Sequence, residues 1–118
     1  MEKNYLKEVS QIILEQLKVK TTELWAWGAK DFVYLERTVD KMKCPALMFS
    51  IRTPKVLRGG KVIISLNEGA DEYIVEAVRV RNGIETLIGK ETNVYCDELH
   101  DRINSLIEDK ETFCNAFF

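Results

Sequence analysis

The most regular hydrophobic pattern in the chain lies between residues 61 and 95. Three runs rich in β-branched side chains occur there, at residues 61–66, 72–80 and 84–88. The dipeptide Asn82-Gly83 separates the last two runs, and it favours a two-residue hairpin turn because both residues tolerate a positive φ. The pattern therefore predicts an antiparallel meander at the centre of the fold.

Helical periodicity marks the two ends of the chain. In residues 2–18 one apolar stripe repeats at i, i+4, i+7 and i+8, comprising Tyr5, Val9, Ile12, Ile13 and Leu17. After Val94-Tyr95 a second stripe comprises Leu99, Ile103, Leu106 and Ile107. Because each predicted helix has a single apolar face, both helices most simply cover one face of the sheet.

The segment between the first helix and the meander predicts further strands. Residues 23–27 alternate in the way a strand does, which would place Trp25 and Trp27 on one face. Residues 32–35 and 46–52 predict two more strands. The polar stretch 36–45 predicts a loop that Cys44-Pro45 closes, since proline restrains the residue before it to extended conformations.

Towards the end of the meander, residues 89–93 are expected to break the last strand. Together these elements predict an α+β fold: a five- or six-stranded antiparallel meander sheet flanked by an N-terminal and a C-terminal helix. Residues 1–118 form one domain in this interpretation, which is an ordinary domain length.

The second face of the predicted sheet is partly apolar. Met48, Ile63 and Leu87 fall opposite the main apolar sets of their strands. Two interpretations remain open at this point. The face is a surface for a dimer partner or a ligand, or one helix lies on each face of the sheet.

Composition and charge narrow the class of protein. The chain is 46% hydrophobic and 31% charged, which is ordinary for a folded protein, and no apolar run is long enough for a signal peptide or a membrane span. Three widely spaced cysteines predict neither a disulfide framework nor a zinc ribbon. We expect a cytoplasmic protein, in which the apolar tail at residues 113–118 docks on the body or on another subunit.

Charge is distributed unevenly along the chain. Residues 1–66 hold 12 Lys and Arg against 7 Asp and Glu, whereas residues 67–118 hold 5 against 12. Opposite charge in the two halves favours electrostatic complementarity, either with a copy of the chain or with a partner.

One group of residues has the chemistry of a single-stranded nucleic-acid site. Two tryptophans supply stacking surfaces, and residues 37–61 are the most basic stretch. The candidate binding residues are Trp25, Trp27, Arg52, Lys55, Arg58 and Lys61. The pI of about 5.5 is low for a protein that binds nucleic acid through charge alone.

Catalytic and metal chemistry find little support in the sequence. On a helix Cys96 and His100 form one i, i+4 pair and Asp97 and Asp101 another, but each face supplies only two ligands and no second cluster completes a site. His100 is the only histidine, and we expect it to be a solvated helix residue. No catalytic motif or cofactor motif is present, so the sequence predicts a protein that is not an enzyme and needs no cofactor.

Several segments, in order, are similar to a family of short, uncharacterised proteins from phages and related mobile elements. They are residues 13–17, 28–33, 47–49, 62–67, 72–76 and 94–99. The resemblance implies a phage or mobile-element protein that works inside a bacterial cell, and it implies no activity. Trp25-Ala26-Trp27 stands where less aromatic residues are expected.

These observations lead to two functional expectations. The first is a small non-enzymatic binding protein that acts by protein–protein interaction, with itself as a homodimer or with a host factor. The alternative is a single-stranded nucleic-acid-binding module that uses Trp25, Trp27 and the basic stretch 37–61.

Overall fold

The computed structural model describes residues 3–53, residue 56 and residues 58–107, so Lys55, Cys114 and the apolar tail at residues 113–118 lie outside the described residues. The described chain folds as an α+β protein. Its elements are α1 (Lys3–Lys18), α2 (Thr21–Trp27), β1 (Lys30–Val39), β2 (Met42–Ile51), β3 (Gly60–Asn67), β4 (Glu72–Arg81), β5 (Ile84–Val94), a 3₁₀ turn (Cys96–Glu98) and α3 (Leu99–Ile107).

The five strands form one antiparallel meander in the order β1-β2-β3-β4-β5. The predicted hairpin turn at Asn82-Gly83 is confirmed, with φ values of 52° and 76° between the paired residues Arg81 and Ile84. The predicted sheet and the two predicted terminal helices are likewise confirmed.

The prediction of a strand over residues 23–27 is wrong, because these residues lie in α2. Gly28 ends this helix in the left-handed conformation, at φ 64°, and its N–H donates to the Trp25 carbonyl at 3.0 Å. Leu24 and Trp27, three residues apart, both turn towards the core, so helical spacing explains their burial. Alternation over only five residues does not distinguish a strand from a short helix.

The predicted loop over residues 36–45 is also wrong. β1 and β2 continue through it and meet at a two-residue turn, where Asp40 and Lys41 have φ values of 49° and 68°. The polar residues of this stretch made the sequence resemble a loop. β1 can carry polar residues because it lies at the edge of the sheet. Pro45 is tolerated within β2 because the pairing of β2 with β3 begins only at Ala46.

The expected break at residues 89–93 does not occur, since β5 continues to Val94. Instead the pairing of β4 with β5 contains two irregularities, which bend the strand without ending it. Gly89 permits close packing there, because a Cβ at this position would lie 2.7 Å from Leu106 Cδ2 of α3. The glycine therefore marks the contact between β5 and α3.

Both α1 and α3 cover the same face of the sheet, which we call the helix face. One cluster of buried side chains joins the helices to alternate residues of β2, β3 and β4, including Phe49, Ile64 and Val75. The α1 prediction is correct except at Ile12, which is 52% exposed. The alternative of one helix on each face is wrong for the described chain.

The other face, which we call the second face, has a smaller core of its own. Ala46, Ile63 and Val78 are buried there, and Leu35, Met48 and Val80 pack against them. No helix of the described residues packs against this cluster. The apolar character predicted for this face is therefore real, although its centre is buried within the sheet itself.

Candidate protein-binding surface at the β1 edge

The two tryptophans do not form a common surface. Two residues apart on an α-helix, their side chains point about 200° apart. Trp27 is 1% exposed, stacks on Phe49 and His100, and donates its Nε1–H to Asn104 Oδ1 at 2.6 Å. Trp25 is 82% exposed. The predicted stacking platform of both tryptophans is wrong.

The predicted basic residues are not brought together with Trp25 either. Arg52 and Arg58 are exposed, and the Arg52 backbone N–H donates to the Trp27 carbonyl at 2.8 Å. Lys61 lies on the second face, where its Nζ donates to Ser50 Oγ at 3.1 Å. The helix layer and the second face lie on opposite sides of the sheet.

His100 belongs to the core, which corrects its expected solvent exposure. It is 6% exposed, and its Nε2 lies 2.8 Å from the Leu17 carbonyl, so it fastens α3 to the end of α1. Among residues 3–53, 56 and 58–107, no group of three His, Cys, Asp or Glu side chains is arranged to hold a metal ion.

The largest exposed apolar group on a strand lies on β1. Phe32, Val33 and Tyr34 are consecutive and are 37%, 46% and 38% exposed. We call these three residues the edge patch. Phe32 and Tyr34 lie on the helix face, where Phe32 contacts the Phe49 ring at a centroid distance of 5.1 Å, and Val33 lies on the second face opposite Met48.

The strand that carries the edge patch has a free side. β1 pairs only with β2, so in the described part of the chain its outer N–H and C=O groups are hydrogen-bonded to no other strand, although the Arg37 side chain in its second half reaches β4 and β5. The pairing of β1 with β2 is irregular between Lys30 and Val33, where Asp31 has a φ of 56°. From Val33 to Val39 the pairing is continuous. Trp25 lies in α2, five residues before this strand begins.

The sheet's other edge, β5, is less suited to pairing. Ile84 and Leu87 are exposed on it, at 68% and 54%, but its pairing with β4 is irregular at two places. A helix packs against each edge strand, α1 against β1 and α3 against β5, so the irregular pairing is what distinguishes β5. Bulges and helices are two of the ways in which proteins protect a sheet edge from unwanted partners.

Arg37 is used within the fold, although the sequence placed it in the basic stretch. Its Nε and Nη2 donate to the two carboxylate oxygens of Glu76, each at 3.2 Å, and its Nη1 donates to Glu85 at 3.2 Å. We call these three residues the ion cluster. The hydrogen bonds from Arg37 hold the pKa of Glu85 below its usual value and raise that of Arg37.

The other groups whose pKa values are shifted are isolated from one another. The hydrogen bond from Tyr5 Oη to Glu68, at 2.6 Å, raises the pKa of Tyr5, and burial raises the pKa values of Cys44 and Tyr73. In the described chain these groups do not converge on a cavity that holds a nucleophile with its base.

Sequence reasoning placed β1 partly correctly but missed the edge patch as a site. A usable signal was present, because Phe32-Val33-Tyr34-Leu35 is apolar at four successive positions and cannot turn all of them to one face. What could not be read from the sequence was that this strand lies at the edge of the sheet.

Comparison of the chain with protein-family models, curated proteins and solved structures finds no match. Within the described residues, none of the helices has both the length and the apolar character needed to cross a membrane.

Proposed function

We propose that the protein is a small, non-enzymatic binding protein of phage or mobile-element type, which acts in the bacterial cytoplasm by protein–protein interaction. Its partner is a second copy of the chain or a host protein. The observation that supports this proposal is the edge patch: three consecutive exposed apolar residues on a strand whose outer side is unpaired.

An open edge strand binds extended chains through its backbone. The outer N–H and C=O groups supply hydrogen bonds, and side chains on both sides of the strand add apolar contacts. Edge strands without a partner are normally protected by charges, proline or bulges. β1 has a bulge between Lys30 and Val33, and Glu36 and Arg37 further along it are partly buried, but the residues from Phe32 to Tyr34 are exposed and apolar.

Trp25 of α2 is a further exposed apolar side chain. Tryptophan is the residue type most enriched among the dominant contacts of protein interfaces, and Trp25 is 82% exposed. The nucleic-acid alternative is weakened because Trp27 is buried and because Lys61 lies on the second face, away from the helix layer that carries Trp25.

A matched pair of variants tests the proposal. Val33→Lys and Leu87→Lys each place a charge at an exposed position on the second face of an edge strand, the first on β1 and the second on β5. Tagged wild-type, Val33→Lys and Leu87→Lys proteins are incubated with bacterial lysate, with and without nuclease treatment, and retained proteins are compared. Self-association of each pure protein is measured in parallel.

We expect a retained protein, or self-association, for the wild type and for Leu87→Lys, and its loss for Val33→Lys. Equal retention by all three proteins would contradict a role for the β1 edge. Retention that disappears on nuclease treatment would favour the nucleic-acid module. Absence of both retention and self-association in the wild type would contradict the proposed function.

A further inference from the structure

We propose that the partner of the edge patch is a second copy of this chain, bound by antiparallel pairing of β1 with β1 across a two-fold axis. This inference rests on the proposed function and names its partner. The product is a continuous ten-stranded sheet, in which the same edge patch is used by both copies, as a two-fold interface requires.

Symmetry determines what else meets in this dimer. A two-fold axis that pairs β1 antiparallel with its copy stands perpendicular to the sheet, so both helix layers lie on the same side. Phe32 and Tyr34 of the two copies then approach one another on the helix face, and Val33 of each copy approaches the other on the second face. Cross-strand aromatic and β-branched pairs of this kind stabilise antiparallel sheets.

The helix nearest to the axis is α1. It packs on β2 and β1, whereas α3 packs on β4 and β5. Across the junction the two β1 strands lie about 5 Å apart and the two β2 strands about 14 Å apart. The two α1 helices lie above β1 and β2, so their axes are about 10–14 Å apart, a separation that long side chains such as those of Lys and Glu can span.

The outer surface of α1 is complementary to itself in charge. Lys7, Gln11 and Glu15 lie four residues apart and form one exposed stripe with a cation at its first position and an anion at its last. Two antiparallel copies of this stripe place Lys7 of each copy opposite Glu15 of the other.

Contacts from the helix layer are needed for a stable dimer. A stable interface generally buries at least about 1,000 Å² in total, and two short edge strands alone bury less. Phe32, Tyr34 and the exposed stripe on α1 supply further contacts on the helix side of the β1 junction.

Light scattering coupled to size exclusion, over a range of protein concentrations, measures the state of the pure chain. We expect the mass to rise towards twice the 13.7 kDa of one chain. Val33→Lys is expected to weaken the dimer at least tenfold, because it places two like charges together at the axis. Leu87→Lys, the matched control on β5, is expected to leave the dimer unchanged.

A charge exchange on α1 tests the orientation of the two copies. Lys7→Glu and Glu15→Lys are each expected to weaken the dimer about tenfold at low salt, because each replaces two attractive pairs with two repulsive ones. The double variant restores the pairs in reverse order and is expected to recover wild-type dimerisation. Failure of the double variant to recover would overturn the α1 arrangement.

Cysteine cross-linking covers the case in which Val33→Lys does not fold. Tyr34→Cys, in a chain that also carries Cys96→Ser and Cys114→Ser, is expected to give a dimer with a short bis-maleimide. Thr86→Cys, exposed on β5, is the control and is expected to give none. Cross-linking through position 86 but not through position 34 would overturn the β1 pairing.

The two proposals fail separately. A wild-type chain that remains a monomer at all concentrations overturns the dimer. If the same chain retains a host protein that Val33→Lys loses, the proposed function stands and its partner is the host protein. A monomer that retains nothing overturns both.

Discussion

The two faces of the sheet are buried by different means. On the helix face, side chains of α1, α2 and α3 pack against the strands, and the buried cluster contains large residues such as Trp27 and Phe49. On the second face no helix of the described chain takes part, the apolar cluster is small, and the ion cluster lies beside it. One face is therefore stabilised by apolar packing and the other partly by ionic contacts.

The ion cluster shows how the second face is closed. Arg37 lies on β1 and Glu76 on β4, three strand spacings away, which is about 14 Å in a flat sheet. Side chains that meet across this distance require a sheet that curves towards the second face. A second ion pair supports this curvature, because Asp40 of the β1–β2 turn lies 3.6 Å from Lys90 of β5.

The largest difference in stability between the faces is expected when two neighbouring residues of β2 are each replaced by alanine. Phe49 points to the helix face and is 0% exposed, whereas Met48 points to the second face and is partly buried. Phe49→Ala is expected to lower the free energy of unfolding by about 3–5 kcal/mol. Met48→Ala is expected to cost about 1–2 kcal/mol, since part of its surface is already in water.

Urea denaturation of both variants at pH 7 measures the two costs. The wild type is the reference, and equal denaturant slopes confirm that the comparison concerns stability alone. If Met48→Ala cost as much as Phe49→Ala, the second face would be as tightly packed as the helix face and the contrast would be wrong.

The next largest effect is expected from removing the cation of the ion cluster. Arg37→Met leaves the carboxylate of Glu76, a residue that is 7% exposed, without the partner that binds both of its oxygens. A buried carboxylate that loses its partner costs about 3 kcal/mol. The double variant Arg37→Met/Glu76→Met removes the charge as well and is expected to recover most of this loss.

Thermal or urea unfolding of the single and double variants measures this coupling. A loss in Arg37→Met that the double variant does not recover would assign the effect to the arginine stem instead of to the unpaired charge.

Acid sensitivity should be greater on the second face, through Glu85. Because hydrogen bonds from Arg37 lower its pKa in the folded state, Glu85 contributes stability at pH values above its unfolded pKa. That contribution is lost as the pH falls through the lowered pKa, in the range below about 4.3. Since its side chain is 41% exposed, solvent screening limits the contribution to about 1 kcal/mol or less.

Urea unfolding of the wild type and of Glu85→Gln from pH 7 to pH 3 follows this contribution. The wild type is expected to be the more stable protein at pH 7, and the difference is expected to shrink towards pH 3. A difference that stays constant with pH would mean that Glu85 acts through packing and not through its charge.

The sequence predicts the helix face better than the second face, for a physical reason. Helical periodicity places Leu99, Ile103 and Ile107 on one stripe, and all three are buried as expected. The closure of the second face depends on contacts such as that between Arg37 and Glu85, 48 residues apart, which local periodicity does not contain. The same limit hid the edge patch, because only the strand order leaves β1 unpaired on one side.

The smallest effect on the free energy of unfolding is expected from replacing two buried serines, one for each face. Ser10 of α1 donates its hydroxyl to the Ala46 carbonyl at 2.8 Å, which ties the helix to β2. Ser65 lies on the second face beside Ala46, is 0% exposed, and its Oγ has no hydrogen-bond partner. Ser10→Ala is therefore expected to cost about 1 kcal/mol, whereas Ser65→Ala is expected to be neutral or slightly stabilising.

Both substitutions remove one oxygen and create the same side chain, so each is the control for the other. Urea unfolding that shows Ser65→Ala to be destabilised by about 1 kcal/mol or more would reveal a partner for this hydroxyl, such as a buried water. In that case the second face would be held by a larger polar network than the ion cluster. The expected result instead means that its centre is closed by apolar contact, with the charges confined to the side where β1 meets β4 and β5.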